Sequence, residues 1–323
     1  MRALVTGAAG FIGSHLVDRL LADGHQVIAL DNLSGGDIGN LADAFRHNVS
    51  SPGRFVFMKL DIQAPELTGI VAGSNPDVIY HLAAQVDTQV SIQDPQFDAR
   101  SNVIGTINLC EASRQGCVRR VVYATSQTEY DVAPVFGPAG GPALPNLVSP
   151  GVAGKLAGEI YLRAYAAMYG LAPIFLALSD VYGPRQHSHS GAVLPSLERA
   201  TGSDRLEDLG EDDASLLDLV YVDDAVEAFV RAGCAPLETT GTYHITTGHS
   251  VTLNQARDVI RAVMDGSPAE IESLDSPFVT SRAARVRAHL GWRPAVGLPQ
   301  GIERTIHWLS RMSELERPAL VGA

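Results

Sequence analysis

Short apolar runs punctuate the first half of the chain at Arg2 to Thr6, Gln26 to Leu30, Phe55 to Leu60, Asp77 to Leu82, Arg119 to Ala124 and Pro173 to Leu178. They are near-continuous rather than alternating, which predicts strands buried on both faces. Between them the apolar period lengthens to that of a helix, most clearly over 95 to 115 and Val152 to Tyr169. Strand and helix alternate six times, so the fold class is α/β: a doubly wound parallel sheet with helices on both sides. Beyond residue 180 the rhythm changes to separate helices at Val193 to Thr201, Asp223 to Ala232, Leu253 to Met264 and Leu298 to Leu309. Short strands lie among them at Leu217 to Val220 and Tyr243 to Thr246. Residues 1–178 therefore read as one domain to which 219–247 returns, with 179–218 and 248–323 forming a smaller mixed α/β lobe.

The first strand runs into Gly7-x-x-Gly10-x-x-Gly13 and then a helix from Phe11-Ile12. That spacing allows a tight turn, a close approach of backbone to a pyrophosphate, and a helix N-terminus facing the phosphates. The second strand ends at Asp31, where a carboxylate meets an adenosine ribose, so the first domain reads as a Rossmann dinucleotide site. Asp31 selects NAD, because a 2′-phosphate would meet a like charge and Asn32 to Gly36 holds no arginine to receive it. Asp61-Ile62 closes the third strand and is placed to flank an adenine, although a strand-terminal Asp also serves as a helix cap. Leu82-Ala83-Ala84-Gln85 follows the fourth strand with small side chains that let backbone approach a ligand.

A formal net charge of -12 argues against nucleic-acid and anionic-membrane partners, which call for a basic face. No apolar run approaches the ~18 residues of a membrane helix. Three scattered cysteines make neither a disulfide framework nor a metal site, and with no secretory leader a cytoplasmic protein is expected. The fifth strand ends in Thr125-Ser126-Gln127-Thr128, at the sheet edge where such folds bind ligands. Asp131 to Gly151 then carries five prolines and four glycines, a long irregular loop.

The chain resembles the nucleotide-sugar epimerase/dehydratase branch of the extended short-chain dehydrogenases/reductases. The likeness spans nearly its whole length. It rests on the glycine triplet, Asp31-Asn32, His81-Leu-Ala-Ala-Gln85, Asn102-Val-x-Gly-Thr106, Ser149-Pro150 with Lys155, Val181-Tyr-Gly-Pro-Arg-Gln186, Val220-Tyr-Val-Asp-Asp224 and Leu290-Gly-Trp-Arg-Pro294. The resemblance implies NAD as cofactor, a sugar or sugar nucleotide held between the lobes, and a homodimer built on the helices near 95–115 and 152–169. It makes Ser126 the group that hydrogen-bonds the substrate hydroxyl, and Lys155 the lysine of Tyr-x-x-x-Lys that holds the nicotinamide ribose. Composition supports Lys155, since only it and Lys59 are lysines among 24 basic residues.

The tyrosine of that motif is Gly151 here, and no other tyrosine lies between Asp131 and Lys155. Candidates for its work are Tyr130 and Glu129 beside Ser126, or a water or substrate group relayed through Lys155. On the substrate side Gln85, Ser126, Gln127, Asp180, Arg185 and Arg282 are candidates. The diphosphate-clamping arginine of the family falls at Leu217. Seven carboxylates between Asp204 and Asp218 either face the cleft or form a solvated acidic loop. Three functions stay open: a sugar epimerase/dehydratase with non-standard acid/base chemistry, an NAD-binding enzyme of specialised metabolism acting on a non-nucleotide substrate, and a catalytically silent NAD-binding protein.

Overall fold

In the computed structural model seven of these runs lie side by side as one parallel sheet, and residues 1–126, 149–186, 216–269, 274–275 and 277–316 are described. The strands are β1 (Arg2–Thr6), β2 (Gln26–Asp31), β3 (Phe55–Lys59), β4 (Val78–His81), β5 (Arg120–Ser126), β6 (Ala172–Leu178) and, after an excursion, β10 (Gly241–Ile245). Their order is β10-β6-β5-β4-β1-β2-β3. Ala3, Leu4 and Val5 of β1 are fully buried, as a strand covered on both faces requires.

The helices divide between the faces. On one side α1 (Phe11–Ala22) and α8 (Val222–Cys234) bury Leu16, Val17, Leu20, Val226 and Phe229. On the other, α3 (Leu67–Ser74) and α6 (Gly105–Gln115) bury Leu67, Val71, Leu109 and Ala112, while α7 (Pro150–Tyr169) adds Leu162 against Val121 and Phe175. At ~25 cal/mol per Å² of apolar surface, these two layers are the main favourable term of the fold. The helix α2 (Ala42–Ser50) follows β2, and α4 (Thr88–Gln93) and α5 (Pro95–Ala99) follow β4. A π turn at Arg100–Ile104 joins α5 to α6.

Outside this sheet lie a parallel pair, β7 (Asp180–Tyr182) with β9 (Leu219–Tyr221), and an antiparallel set in which β11 (His249–Thr252) pairs with β8 (Leu216–Leu217) and β12 (Leu274–Asp275). The remaining described helices are α9 (Leu253–Met264), α10 (Pro277–Leu290) and α11 (Leu298–Glu316). Asp224 ties the segment before α11 to α8: the carboxylate accepts from the Ala295 and Val296 N–H groups at 2.9 and 3.0 Å. The buried Trp292 indole donates to the Asp224 carbonyl at 2.8 Å. Residues 235–240 are held as firmly, because Arg120, 3% exposed on β5, donates to the carbonyls of Ala172, Ala235, Pro236 and Thr239.

Several elements differ from the sequence expectation. The fifth strand runs on to Ser126, and α7 starts at Pro150 because Ser149 caps it, accepting from the Val152 N–H at 3.3 Å. The expected strand Leu217 to Val220 is broken at Asp218, whose carboxylate turns to receive the hydroxyls of Thr246 and Thr247 and the Thr247 N–H. Neither α4 nor α10 had a periodic signal strong enough to announce it, and the helix expected at Val193 to Thr201 lies outside the described residues. Among the described residues no helix is long and apolar enough to cross a membrane, and no cluster of His, Cys, Asp or Glu could hold a metal ion.

Candidate active site

The carboxyl ends of β1, β2 and β4 form a cradle. Gly7 turns at φ 69°, and a Cβ there would stand 2.6 Å from the Ala83 nitrogen, while one on Gly13 would overlap the Gly7 carbonyl oxygen. The chain therefore passes between β1 and the Leu82–Ala83 backbone only as glycine. Gly10 caps α1 without a side-chain acceptor, and no acidic residue sits in the first helical turn, which includes Phe11 and Ile12. Those N–H groups and the helix dipole are thus presented to an anion, as the pyrophosphate of a dinucleotide requires.

Asp31 is 8% exposed and accepts from Ala9 N–H at 2.9 Å and Leu33 N–H at 2.8 Å. One bond per oxygen leaves each a further lone pair for a ribose hydroxyl. Asn32 donates to Asp61 at 2.8 Å, and Asp61 also accepts from Gln63 N–H at 2.8 Å, so it caps its turn as well as facing the cradle's acidic edge. Ile62 is buried against Gly105 at the start of α6.

The segment after β4 is fixed by Thr6, which accepts from Leu82 N–H on its carbonyl and from Ala83 N–H on its hydroxyl. Ala84 is half-buried, and Gln85 is tied to Asn102 in both directions, each bond 2.9 Å. Beneath it His81, 1% exposed, bridges the hydroxyls of Thr6 and Thr106 at 2.8 and 3.1 Å. Burial, with the Lys155 charge adding to it, lowers its pKa to about 3, so it is a neutral strut.

At the end of β5 lies the chemistry-bearing part. Ser126 closes the strand half-buried. Lys155, one turn into α7 from Gly151, donates to the Ala124 carbonyl at 3.1 Å. The helix comes this close because Gly154 and Gly158 face it inward: a Cβ on either would lie 2.7 Å from Asp98 Oδ1 or the Tyr123 hydroxyl respectively. Gly151 differs, since a Cβ there would make only ordinary contacts of 3.5 Å.

The other predicted site residues are scattered. Asp180 is exposed on β7. Arg185 forms ion pairs with Asp18 on α1 at 2.7 Å and Asp43 on α2 at 3.3 Å, and its side chain is 16% exposed. Leu217 packs half-buried on the main core. Asp218, buried and fully engaged, is not part of a solvated acidic loop. Arg282 lies on α10, its side chain outside the described residues, as are Gln127, Glu129 and Tyr130. The sequence reading missed Asp98, buried on α5 against α7; nothing local marks it, because only the packing of two helices brings it there.

Comparison with known proteins agrees with the fold. The sequence profile of the NAD dependent epimerase/dehydratase family matches residues 3–245. UDP-glucose 4-epimerase of Mycolicibacterium smegmatis is 41% identical over 320 residues, covering 97% of this chain and 100% of the relative. Among solved structures, Thermus thermophilus UDP-glucose 4-epimerase in complex with NAD is 32% identical with a TM-score of 0.77, covering 96% of this chain and 99% of its own. The Thermotoga maritima UDP-glucose 4-epimerase with UDP-glucose is 29% identical with a TM-score of 0.80, covering 97% and 100%.

Proposed function

This chain belongs to the NAD-dependent epimerase/dehydratase family, and we propose that it acts on a nucleotide sugar of the UDP-hexose kind by transient hydride transfer, with acid/base chemistry that does without the family's tyrosine. The observation that carries the reading is the end-to-end likeness to UDP-glucose 4-epimerases, joined to a lysine kept at the sheet edge one turn after Gly151. NAD supplies a hydride acceptor and donor. The glycine cradle, the open α1 N-terminus and Asp31 hold its pyrophosphate and ribose, Lys155 its second ribose, and Leu82 to Gln85 its nicotinamide end. Ser126 orients the substrate hydroxyl. Glu129 and Tyr130 stay candidates beside it.

A second copy of the chain is the proposed partner. Ile104, Ile160, Tyr161, Met168 and Tyr169 are exposed apolar side chains on the π turn and α7, a surface that self-association would cover. Three free cysteines support a reducing, cytoplasmic setting.

The test is to identify any nucleotide that purifies with the protein, then follow reduced-nicotinamide absorbance with UDP-, TDP- and GDP-sugars. Bound NAD and a rise with a UDP-sugar are expected. Bound NAD with no response to any sugar favours the catalytically silent reading, which Gly151 alone motivates. Absence of NAD binding overturns the proposal.

A further inference from the structure

The Asp98 carboxylate is 1% exposed, and α5 carries it to the first turn of α7. Its Oδ1 accepts from Asn102 Nδ2 at 3.2 Å, while Oδ2 has no hydrogen-bond partner among the described residues. A buried carboxylate oxygen without a donor is costly, so its presence calls for an explanation. A Cβ on Gly151 would stand 3.5 Å from that same Oδ2 and 3.5 Å from Ser91 Oγ. The unpartnered oxygen therefore faces the point where the family's tyrosine side chain would leave the helix. Packing does not force glycine at 151 as it does at 154, so a side chain is absent beside the carboxylate without being excluded from it.

We propose that Asp98 is the proton acceptor that takes over from the missing tyrosine, reached from the substrate hydroxyl through water standing where the phenol ring would lie. The inference rests on the sugar-oxidising reading above. The sugar O–H bond breaks and its proton passes along hydrogen bonds of about 2.8 Å to Oδ2, leaving a neutral carboxyl. The C–O bond becomes C=O as the electron pair of the C–H bond departs as hydride to NAD⁺, the oxidant; the return half reverses each transfer.

The groups facing Asp98 suit this. Lys155 is the charged side chain acting on it, from α7; α4 contributes the Ser91 hydroxyl, which donates to the Thr88 carbonyl at 3.0 Å; the π turn contributes neutral Asn102. Burial raises the Asp98 pKa, against the opposing pull of Asn102 and Lys155, so its proton is held more firmly than on an exposed aspartate.

The experiment compares the unsubstituted protein, Asp98→Asn, Gly151→Tyr and the double variant on UDP-glucose, with kcat and KM followed across pH. Asp98→Asn is expected to lower kcat by ~10²–10⁴ with KM little changed. In the Gly151→Tyr background, where a phenol is supplied, the same change is expected to cost about twofold or less. The acid limb of the kcat profile should there report the phenol instead of the carboxyl and be unmoved by Asp98→Asn. Independently of turnover, the Asp98 carboxyl resonance, assigned by carbon-13 NMR in the unsubstituted protein so that Asp18, Asp223 and Asp224, which burial also raises, are told apart, should titrate above the ordinary aspartate range. A carboxyl confined to that range overturns the relay even if Asp98→Asn fails to fold. Equal losses in both backgrounds, or no loss, overturn it and leave the sugar reading standing; an inactive unsubstituted protein beside an active Gly151→Tyr overturns both and favours the catalytically silent reading. Inactivity of both on every sugar removes the proposed function and the relay with it.

Discussion

Lys155 and Tyr123 hold one another: the ammonium lies 4.8 Å from the centroid of the Tyr123 ring, and the Tyr123 hydroxyl donates to the Lys155 carbonyl at 3.2 Å. The second bond is to backbone and survives a side-chain change. Lys155→Met should therefore keep the helix seated on β5 while losing the cation. NAD⁺ affinity is expected to fall about tenfold, the worth of one hydrogen bond from a charged donor. Because the Lys155 charge helps depress the His81 pKa, histidine NMR should find that value raised in the variant, yet still below the ordinary range because burial is the larger cause. Calorimetric titration with NAD⁺ and the His81 resonances together check this.

Gly13→Ala tests the cradle without touching a polar group. Its Cβ would overlap the Gly7 carbonyl oxygen, so the β1–α1 turn must move. A loss of about 1–3 kcal/mol in stability is expected from the overpacking. NAD⁺ affinity should drop by more than the melting temperature alone suggests, since the α1 N-terminus is displaced from the phosphates. Differential scanning fluorimetry with and without NAD⁺ separates the two.

Acid should weaken the fold through two buried histidines, at pH values above the range of an ordinary exposed carboxylate. His81 is held neutral with a pKa of about 3, against 6.5 for the model imidazole, and His15 is lowered to about 4 by burial and by Arg185. Both folded values are depressed, so the unfolded chain binds more protons once pH falls below 6.5. The stability present above that point is progressively lost toward pH 3–4. For His81 alone the loss is about 2 kcal/mol by about pH 5. Urea midpoints measured across this window should fall, and His81→Gln, which cannot take a proton, should flatten the slope.

Asp224→Ala removes the acceptor of two backbone N–H groups, on Ala295 and Val296, at the start of the terminal segment. Two unpaired, partly buried donors cost about 2–5 kcal/mol. Asp224→Asn keeps one oxygen acceptor and should lie between. Chemical denaturation orders the three proteins, and an unchanged midpoint for Asp224→Ala would show that this junction does not matter.

The sheet was legible from sequence because each strand announces itself locally as a short run of buried apolar residues, closed at β1 by Gly7 and at β2 by Asp31. The glycine triplet and Asp31 were legible for the same reason, the turn, helix start and strand end being neighbours along the chain. The end of β5 was cut short at Ala124 because Thr125 and Ser126 look polar, although Thr125 is 4% exposed within the sheet. Asp98 was silent, because its meaning comes from α5 packing on a helix far along the chain at glycine positions. Arg185 looked available in sequence and is instead paired with Asp18 and Asp43, contacts that only the tertiary fold creates.

The edge strand β10 arrives only after the chain has left the sheet, built β7, β8, β9 and α8, and come back. Arg120 fastens that return by gripping Ala235, Pro236 and Thr239 from within β5, and Arg19 on α1 pairs with Glu227 on α8 at 2.8 Å. The two halves are thus not detachable modules. A chain cut after residue 178 would keep every glycine of the cradle yet bare one flank of its sheet and strip α8 from the layer it shares with α1. Exchanging the second half for that of a relative would therefore have to rebuild the grip of Arg120 and the Arg19–Glu227 pair.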